Sequence, residues 1–312
     1  MIRNILITGG AGYIGSMLAT ELVKNKNNFV TVIDLLKYNT NSLNHLFFNR
    51  NFSFIKEDIN HIKKIKNVIK KSNFIIPLAA LVGAPLCEKE KKNAKSTNYL
   101  SIKKLINECN DRQKIIYPTT NSGYGIGKKN KYCDETTPLN PISLYAVTKA
   151  MSEEVIMNYK NSVSLRLATV FGSSYRMRSD LMVNNFVNTA IKNKKLIIFE
   201  PGFRRNFIHV RDVVSAFVYI IDNFNKFKGE IYNLGLSNAN ITKLQLAMKI
   251  KKKIPQTKII IKPLKKDPDQ RDYFVSNKKI EKKGFKAKIS LDKGIEELKK
   301  LFSNHQDFKN NY

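Results

Sequence analysis

The sequence predicts a doubly wound α/β fold, in which a parallel sheet is covered by helices on both faces and joined to a smaller, discontinuous C-terminal α/β lobe. Three observations indicate it. Short apolar runs alternate with amphipathic helical segments, a glycine-rich turn follows the first run, and the alternation becomes irregular beyond Gly172. Strands that alternate with helices pair in parallel, because each helix returns the chain to the same edge of the sheet.

The first half of the chain contains a regular series of elements. Residues 5–8 predict the first strand, and the glycine turn leads into a helix with Ile14, Leu18 and Leu22 on one face. Further strands are predicted at residues 30–33, 52–55, 74–76, 115–117 and 163–167. The helices between them are predicted at residues 61–71, 95–110 and 143–159.

The second half is less regular. Helices are predicted at residues 181–193, 210–223, 242–252 and 291–302, and strands at residues 196–199 and 230–233. A ligand of such a fold lies at the carboxyl ends of the parallel strands, so we expect it between the two halves.

Composition excludes disordered, collagen-like and disulfide-scaffold proteins. The chain has 312 residues, of which 42% are hydrophobic, and this is enough for the cores of about two domains. Its formal net charge is +30, but the lysines are scattered and form no basic face with aromatic residues, so we expect no nucleic-acid partner. No apolar run is long enough for a membrane helix, and no signal-peptide pattern precedes the first strand.

Cysteine and histidine usage indicates a cytoplasmic protein without a metal site. Cys87, Cys109 and Cys133 are an odd number of widely spaced cysteines, which is typical of reduced thiols. The four histidines do not occur at the spacing of helical metal ligands, so we expect no metal.

A glycine signature for a dinucleotide lies between the first strand and the first helix. Gly9 permits a tight turn, Gly12 lets the backbone approach a pyrophosphate, and Gly15 lets the helix pack closely on the strand. Asp34 ends the second strand, where a carboxylate accepts hydrogen bonds from the adenosine ribose and repels a 2′-phosphate. The pattern predicts a Rossmann domain that binds NAD rather than NADP. The alternative is a turn that serves only helix packing, with a solvated Asp34.

Three side chains are suited to taking a proton from an alcohol. Tyr145 and Lys149 stand one helical turn apart on the same face of a predicted helix. A lysine ammonium, together with a nicotinamide cation, stabilises a phenolate and so lowers the pKa of a tyrosine from about 10 towards neutrality. Thr120 lies just past the fifth strand, where its hydroxyl can orient the same alcohol. We expect these three residues to be catalytic.

With these motifs, the chain resembles the extended short-chain dehydrogenases/reductases that act on nucleotide-activated sugars. The similarity covers nearly the whole chain, including the glycine signature, the Tyr145/Lys149 pair and residues 205–212. The resemblance implies that Tyr145 is the base, that Lys149 binds the nicotinamide ribose and tunes Tyr145, and that Thr120 hydrogen-bonds the reacting hydroxyl. It also implies a nucleotide-sugar substrate and a homodimer, because helices 95–110 and 143–159 pair across a dimer interface in many relatives. The alternative is that the apolar positions of these helices only cover the sheet.

The resemblance further implies two sets of binding residues. The NAD-binding set is Gly9, Gly12, Tyr13, Ile14, Asp34, Asp58, Ile59, Ala79, Ala80, Asn98, Tyr145 and Lys149. The substrate-binding set is Val82, Asn121, Ser122, Thr169, Arg178, Asn184, Phe199, Arg205 and Arg271. Arg205 and Arg271 would meet the substrate pyrophosphate, with ion pairs to Asp212 or Asp272 as the alternative. For Asp58, capping of its own loop is the alternative to contact with adenine.

Three residues of the substrate-binding set have more specific expected positions. Arg178 is expected to lie over the nucleotide, Phe199 to lie at the edge of its base, and Asn184 to face the pocket. For each of them, packing within the C-terminal lobe is the alternative.

Departures from the family pattern narrow the expected chemistry. The sugar 4,6-dehydratases of the family carry Asp-Glu directly after the catalytic threonine, where one acid protonates the leaving hydroxyl and the other removes a proton. This chain has Asn121 and Ser122 there, so elimination lacks its acid and base. The remaining chemistry is redox at one sugar carbon, normally C4. A 4-dehydrogenase would release the ketone, whereas a 4-epimerase would reduce it again from the other face.

Residues 164–172, 176–184 and 267–277 look most like a bacterial subgroup that acts on GDP-activated sugars. Within that subgroup, the chain most resembles the GDP-D-glycero-D-manno-heptose 4-dehydrogenases of capsule heptose synthesis. This resemblance implies a GDP-linked substrate. We expect residues 1–170 with about 208–238 to bind NAD, and about 171–207 with 239–312 to bind the nucleotide sugar. A hypothesis of another class is a redox-inactive NAD-binding or RNA-binding module, and the intact catalytic set argues against it.

Overall fold

Buried strands and amphipathic helices alternate along the chain. The computed structural model describes residues 2–38, 41–128, 131–262, 271–304 and 308. The strands are β1 (Arg3–Thr8), β2 (Asn28–Asp34), β3 (Phe52–Lys56), β4 (Phe74–Pro77), β5 (Lys114–Thr120), β6 (Tyr132–Cys133), β7 (Ser162–Leu167), β8 (Thr169–Phe171), β9 (Lys195–Ile198), β10 (Arg204–His209), β11 (Glu230–Leu234), β12 (Asn240–Thr242), β13 (Lys258–Ile261) and β14 (Phe274–Val275). The α-helices are α1 (Tyr13–Leu22), α2 (Ile62–Lys71), α3 (Ala84–Lys89), α4 (Lys91–Lys95), α5 (Ser101–Glu108), α6 (Leu144–Met157), α7 (Met182–Asn193), α8 (Val210–Asp222), α9 (Phe224–Phe227), α10 (Lys243–Lys253), α11 (Lys278–Lys282) and α12 (Leu291–Asn304). Within these residues, every helix is too short or too polar to traverse a lipid bilayer.

Seven parallel strands form the central sheet, in the order β11-β7-β5-β4-β1-β2-β3. β1 lies between β2 and β4, with Ile5 opposite Val30 on one side and Phe74 on the other. The chain therefore moves outward from β1 through β2 and β3, then crosses back and continues in the opposite direction from β4. Such a switch leaves a crevice at the carboxyl ends of β1 and β4. The order confirms the predicted doubly wound sheet.

Both faces of the sheet are covered, because successive side chains of each strand point in opposite directions. Ile5 and Ile7 of β1 belong to one buried cluster together with residues of α1 and α8. Leu6, which lies between them, belongs to a second cluster formed with residues of α2, α5 and α6. Each fully buried side chain of this size stabilises the fold by about 1.5–3 kcal/mol.

The region before α5 differs from its prediction. Residues 95–110 were expected to form one helix, but a π-helical turn, Ser96–Leu100, joins α4 to α5. α3 was not predicted at all, since Gly83 and Pro85 indicate a chain break in a sequence pattern. Pro85 in fact lies in the first turn of α3, where its missing N–H costs nothing.

Short sheets and three helices build the C-terminal lobe. β10 pairs in parallel with β8 and antiparallel with β12, while β13 pairs with β9 and β14 with β6. α7, α10 and α12 pack on one another. The sequence pattern predicts β9 and these three helices but misses β6, β8, β10, β12, β13 and β14. Most of the missed strands have only two to four residues and carry too few alternations to show a period.

A cluster of charged and polar groups ties α12 to the loop after β8. The buried His209 Nε2 lies 3.2 Å from Glu297 Oε1, which also accepts hydrogen bonds from the Ser173 backbone N–H at 2.9 Å and hydroxyl at 2.6 Å. Arg211 pairs with the other oxygen of Glu297. Burial opposes ionisation of Glu297, but these hydrogen bonds outweigh it and lower the pKa of Glu297 to about 2. The carboxylate is therefore charged at neutral pH.

Candidate active site

A cleft of about 630 Å³ lies at the carboxyl ends of β1, β2, β4 and β5, in the crevice that the strand order creates. Most residues of the predicted site line this cleft. They are Gly9, Gly12, Tyr13, Ile14, Asp34, Asp58, Ile59, Ala79, Ala80, Val82, Thr120, Tyr145, Lys149, Thr169, Arg178 and Arg271. The structure therefore brings the glycine turn and the three expected catalytic side chains into one cavity. The described residues contain no group of three His, Cys, Asp or Glu side chains placed to share a metal ion.

The glycine turn forms a cradle at the beginning of α1. Gly9 has φ +70°, and a Cβ atom on it would lie 2.5 Å from the backbone nitrogen of Ala79, so only glycine fits there. Gly12 is the N-cap residue of α1, and a Cβ atom on it would meet only the Gly9 carbonyl oxygen, at 3.1 Å. Gly12 lines the cleft, and among the described residues no other atom lies within 4 Å of that Cβ position. A phosphate group can therefore approach the backbone N–H groups at the positive end of the helix dipole.

Asp34 presents a carboxylate at the end of β2. Its Oδ2 accepts a hydrogen bond from the backbone of Ala11 at 2.9 Å, and its Oδ1 from that of Leu36 at 2.8 Å. Burial raises the pKa of Asp34. Each carboxylate oxygen keeps a second lone pair that can accept a bond from a ribose hydroxyl. Together with the glycine cradle, this acceptor fits the adenosine diphosphate half of NAD.

Asp58 caps its own loop, which was the alternative to contact with adenine. It lines the cleft, and its Oδ1 also accepts hydrogen bonds from the backbone N–H of Asn60 at 2.8 Å and from the side-chain amide of Asn60 at 2.9 Å. The carboxylate thus caps its own loop at the wall of the cavity.

α6 positions Tyr145 and Lys149. The helix begins after Ser143, whose hydroxyl accepts a hydrogen bond from the Ala146 backbone at 3.3 Å, an N-cap that orients the first turn. Tyr145 and Lys149 lie one turn apart on the side of α6 that faces the cleft. The Lys149 Nζ lies 3.9 Å from the centroid of the Tyr117 ring of β5, in a cation–π contact.

Burial dominates the titration of both side chains. It raises the pKa of Tyr145 to about 12, despite the nearby positive charges of Arg271 and Arg178. It lowers the pKa of Lys149 to about 7, while the negative charge of Glu153 raises it. The protein by itself therefore does not produce the lowered tyrosine pKa expected from the Tyr-Lys spacing, because desolvation exceeds the effect of the neighbouring charges. A cationic nicotinamide would add positive charge to this cavity.

Ser122 connects Thr120 to Arg271. The Thr120 hydroxyl donates to Ser122 Oγ at 2.9 Å, and the Ser122 backbone N–H donates to Thr120 Oγ1 at 3.1 Å. Arg271 Nη1 also donates to Ser122 Oγ. Asn121 is 1% exposed, and neither polar atom of its side chain has a hydrogen-bond partner among the described residues. Asn121 and Ser122 thus lie behind the cleft residue Thr120.

Asn98 supports the cleft wall from behind. It lies in the π-helical turn, and its Oδ1 accepts a hydrogen bond from the Leu81 N–H at 2.8 Å while its Nδ2 donates to the Leu81 carbonyl at 2.9 Å. Ser152 of α6 donates to the Asn98 carbonyl at 2.5 Å. Asn98 therefore holds the backbone of the wall in register with α6, and it is not one of the lining residues.

Asn184, which was expected to face the pocket, points the other way. Its Oδ1 accepts a hydrogen bond from the Gly172 N–H at 3.0 Å, and its Nδ2 donates to the Arg178 carbonyl at 2.8 Å. The cleft side of α7 carries Met182, Asn185 and Phe186 instead, at the i, i+3, i+4 spacing of one helix face. Asn184 thus fixes the loop that carries Arg178.

Phe199 and Arg205 are also not among the lining residues. The Phe199 carbonyl accepts a hydrogen bond from Lys243 at 3.3 Å. Arg205 of β10 is fully buried, and its Nη1 donates to the carbonyl of Arg204 at 3.0 Å. The ion pair to Asp272 that was the alternative for Arg205 or Arg271 is formed by Arg204, with 2.7 Å between Nε and Oδ1.

Several lining residues were not predicted. Lys37 lies 3.0 Å from both carboxylate oxygens of Glu90, and the guanidinium of Arg176 lies 4.9 Å from the ring centroid of Tyr38. Lys37 and Tyr38 lie three and four residues after Asp34, and this position after a parallel strand is a signal that could have identified them. Arg176 precedes Arg178 in one loop, and nothing in its sequence context distinguishes it.

The chain is similar to known proteins over most of its length. The family model described as "NAD dependent epimerase/dehydratase family" matches residues 5–235. A dTDP-D-glucose 4,6-dehydratase of Dictyostelium discoideum is 32% identical over 275 residues, which cover 80% of this chain and 62% of that protein. A crystal structure of UDP-glucuronic acid 4-epimerase from Bacillus cereus, in complex with UDP-glucuronic acid and NAD, has a TM-score of 0.86 and 25% identity, covering 97% of this chain and 99% of that one. The dTDP-glucose 4,6-dehydratase from Bacillus anthracis, in complex with NAD, shares the fold with a TM-score of 0.84 and 23% identity, covering 97% of each chain.

Proposed function

The chain belongs to the NAD dependent epimerase/dehydratase family, and on that basis we propose that it is an NAD-dependent oxidoreductase acting at C4 of a nucleotide-activated sugar. The observation that supports this most directly is the shared cleft, in which Thr120, Tyr145 and Lys149 lie with the glycine cradle and Asp34. The structure of UDP-glucuronic acid 4-epimerase from Bacillus cereus, which has the same fold, contains both UDP-glucuronic acid and NAD.

The side chains of the cleft are suited to removing the hydroxyl proton of a sugar. Tyr145 would accept this proton, Thr120 would hold the sugar oxygen by a hydrogen bond, and the charge of Lys149 would stabilise the phenolate. NAD, when bound, supplies the two-electron oxidant for the sugar carbon. Tyr145 is partly buried and Lys149 is 5% exposed, and this shielding from solvent strengthens the electrostatic interactions between them.

The residues after Thr120 favour oxidation without elimination. An amide such as Asn121 neither donates nor accepts a proton as an acid–base catalyst, and the Ser122 hydroxyl is bonded to Thr120 and Arg271. We therefore propose that this chain differs in outcome from the relatives named as 4,6-dehydratases. The ketone is released in a 4-dehydrogenase. A 4-epimerase is the second candidate, favoured by the similarity to UDP-glucuronic acid 4-epimerase.

The finer substrate assignment rests on sequence resemblance. We propose a GDP-linked sugar, such as GDP-D-glycero-D-manno-heptose, for capsule or other surface polysaccharide synthesis, from residues 164–172, 176–184 and 267–277. Residues 267–270 of the last run lie outside the described part of the chain. Val82 and Gly83 in the cleft wall leave room beside the sugar for a large substituent.

The proposal includes the division of labour and the assembly expected from sequence. Residues 1–170 with about 208–238 would bind NAD, and about 171–207 with 239–312 would bind the nucleotide sugar. We propose a cytoplasmic homodimer without a nucleic-acid partner. Its interface would involve the helices of residues 95–110 and 143–159, which carry the apolar side chains Leu100 and Met151 with exposed fractions of 44% and 40%.

Incubation of the purified chain with NAD and a panel of GDP-, UDP- and dTDP-sugars tests the proposal. A 4-dehydrogenase forms NADH and a keto sugar in equal amounts, and it transfers deuterium from a C4-deuterated substrate to the cofactor. A 4-epimerase forms an isomer without net NADH. Tyr145→Phe should lower turnover by about 10²–10⁴-fold, while Tyr132→Phe, at an exposed tyrosine, should not. No ketone, isomer or deuterium loss with any sugar of the panel would refute the proposal.

A further inference from the structure

A buried carboxylate lies next to the proposed proton-transfer pair. Glu153 stands one turn beyond Lys149 on α6 and is 3% exposed. Three contacts from Arg166 of β7 reach its oxygens at 2.7, 3.0 and 3.2 Å, and the Ser164 hydroxyl donates to it at 2.8 Å. Arg166 also donates to the Tyr124 hydroxyl at 3.0 Å. The carboxylate is therefore fixed in place by β7.

Lys149 needs a negative charge nearby if it is to act as a cation. The side chain is 5% exposed, and its Nζ lies over the Tyr117 ring, which offers only a weak attraction. Burial favours the neutral amine and lowers the pKa of Lys149 to about 7, and Glu153 is the group whose charge opposes this. The ionisable groups around the ammonium are Tyr117 of β5, Tyr145 and Glu153 of α6, and, beyond Glu153, Arg166 and Tyr124.

We propose that Glu153 is a positioning residue that keeps the Lys149 ammonium charged inside the cleft, and that Arg166 holds its carboxylate at the required place. The proposal rests on the proposed function, since it concerns how Lys149 stabilises the Tyr145 phenolate. Lys149 and Glu153 are both buried and stand one helical turn apart on α6, so the carboxylate lies on the same side of the helix as the ammonium.

Glu153→Gln tests the proposal, because it removes the charge and nearly preserves the shape. Lys149 should then lose its proton at lower pH, so the alkaline limb of the pH–kcat profile should move down by about one unit. NAD affinity, measured by calorimetry as a function of pH, should also begin to fall at a lower pH than in the wild type. Binding should be about fivefold weaker than in the wild type at pH 8. Glu153→Asp keeps the charge and should keep both profiles.

Two variants serve as controls. Glu154→Gln makes the same change at the next residue, which is exposed, and should leave both profiles unchanged. Ser164→Ala removes one hydrogen bond to the carboxylate but not its charge, so it should lower stability without moving either limb. If Glu153→Gln alone fails to fold because Arg166 is left unpaired, Glu153→Gln with Arg166→Met removes both charges and should still show the shifted limbs.

The proposal would be overturned if folded Glu153→Gln kept the alkaline limbs of the wild-type pH–kcat and NAD-affinity profiles. It would also be overturned if Ser164→Ala shifted these limbs as far as Glu153→Gln does. The affinity profile needs no sugar. If the wild type binds NAD but turns over no nucleotide sugar, the proposed function fails while the role of Glu153 is still decided.

Discussion

The glycine turn predicts a sharp contrast between two neighbouring substitutions. Gly12 has φ −79° and ψ −177°, a conformation open to any residue, and a Cβ atom there meets only the Gly9 carbonyl oxygen at 3.1 Å. Gly15 is different, because its Cβ atom would lie 2.5 Å from the same oxygen and 2.6 Å from the Gly10 Cα. Gly12→Ala should therefore affect the ligand, whereas Gly15→Ala should affect the fold.

The expected magnitudes follow from these contacts. At Gly12, alanine stabilises the folded state by about 0.4–1 kcal/mol, because it lowers the conformational entropy of the unfolded chain. Alanine is also a poorer N-cap residue than glycine, which costs a similar amount. The free energy of unfolding should therefore change by less than about 1 kcal/mol. At Gly15, the backbone clash should cost about 1–3 kcal/mol or more. In Gly12→Ala, the methyl group displaces the pyrophosphate of NAD from the backbone N–H groups, which weakens binding by about 1.5–3 kcal/mol, or roughly 10–100-fold in Kd.

Urea unfolding without cofactor and calorimetric titration with NAD measure the two effects separately. Gly202→Ala is the matched control, since nothing lies within 4 Å of its added Cβ atom and it is outside the cleft. A Gly12→Ala variant that binds NAD as the wild type does would refute the placement of the pyrophosphate at this turn. Equal loss of stability in the Gly12 and Gly15 variants would refute the distinction between them.

Three further substitutions probe other parts of the site and fold. Glu297→Gln should reduce stability by about 2 kcal/mol at pH 7. Because the pKa of Glu297 is lowered from 4.5 to about 2, this difference should be complete above about pH 4.5 and shrink as the pH falls towards 2, which urea unfolding at pH 7 and pH 3 can measure. Asp34→Ala should weaken NAD binding about tenfold and reduce the preference for NAD over NADP, measured by titration with each cofactor. Ser122→Ala should lower kcat/KM about 5–10-fold without changing NAD affinity, because Thr120 and Arg271 lose their shared acceptor.

Each of these predictions has an outcome that contradicts it. A stability difference for Glu297→Gln that is as large at pH 3 as at pH 7 would show that the lost contacts, not the charge, matter. Unchanged selectivity in Asp34→Ala would remove Asp34 from the ribose site. A Ser122→Ala variant with wild-type kcat/KM would mean that the link between Thr120 and Arg271 has no role in turnover.

Most residues of the expected NAD site could be predicted from local sequence. The glycine turn needs only a strand, a tight turn and a helix in succession, and Asp34 needs only the end of the next strand, so both follow from neighbouring residues. The pairing of Tyr145 with Lys149 follows likewise from helix geometry. Family membership, the parallel sheet and the use of NAD are confirmed by the comparisons and the strand order.

The residues expected to bind the substrate could not be predicted as well, because a sequence pattern does not show which side of a helix or strand faces the cleft. One position on α7 separates Asn185 in the cleft from Asn184 behind it, and one position on β10 separates Arg204, which pairs with Asp272, from the buried Arg205. Each of these choices depends on the rotation of a helix or strand about its own axis, and distant elements set that rotation by packing against it.

The sequence by itself determined the seven strands of the central sheet, the dinucleotide turn and the three side chains suited to proton transfer, since each is encoded by residues close together in the chain. Only the tertiary structure decided which residues of the C-terminal half reach the cleft and how its groups titrate. Contacts such as that between Ser122 and Arg271 join residues 149 positions apart, and the desolvation that governs Tyr145 and Lys149 arises from every element packed around them.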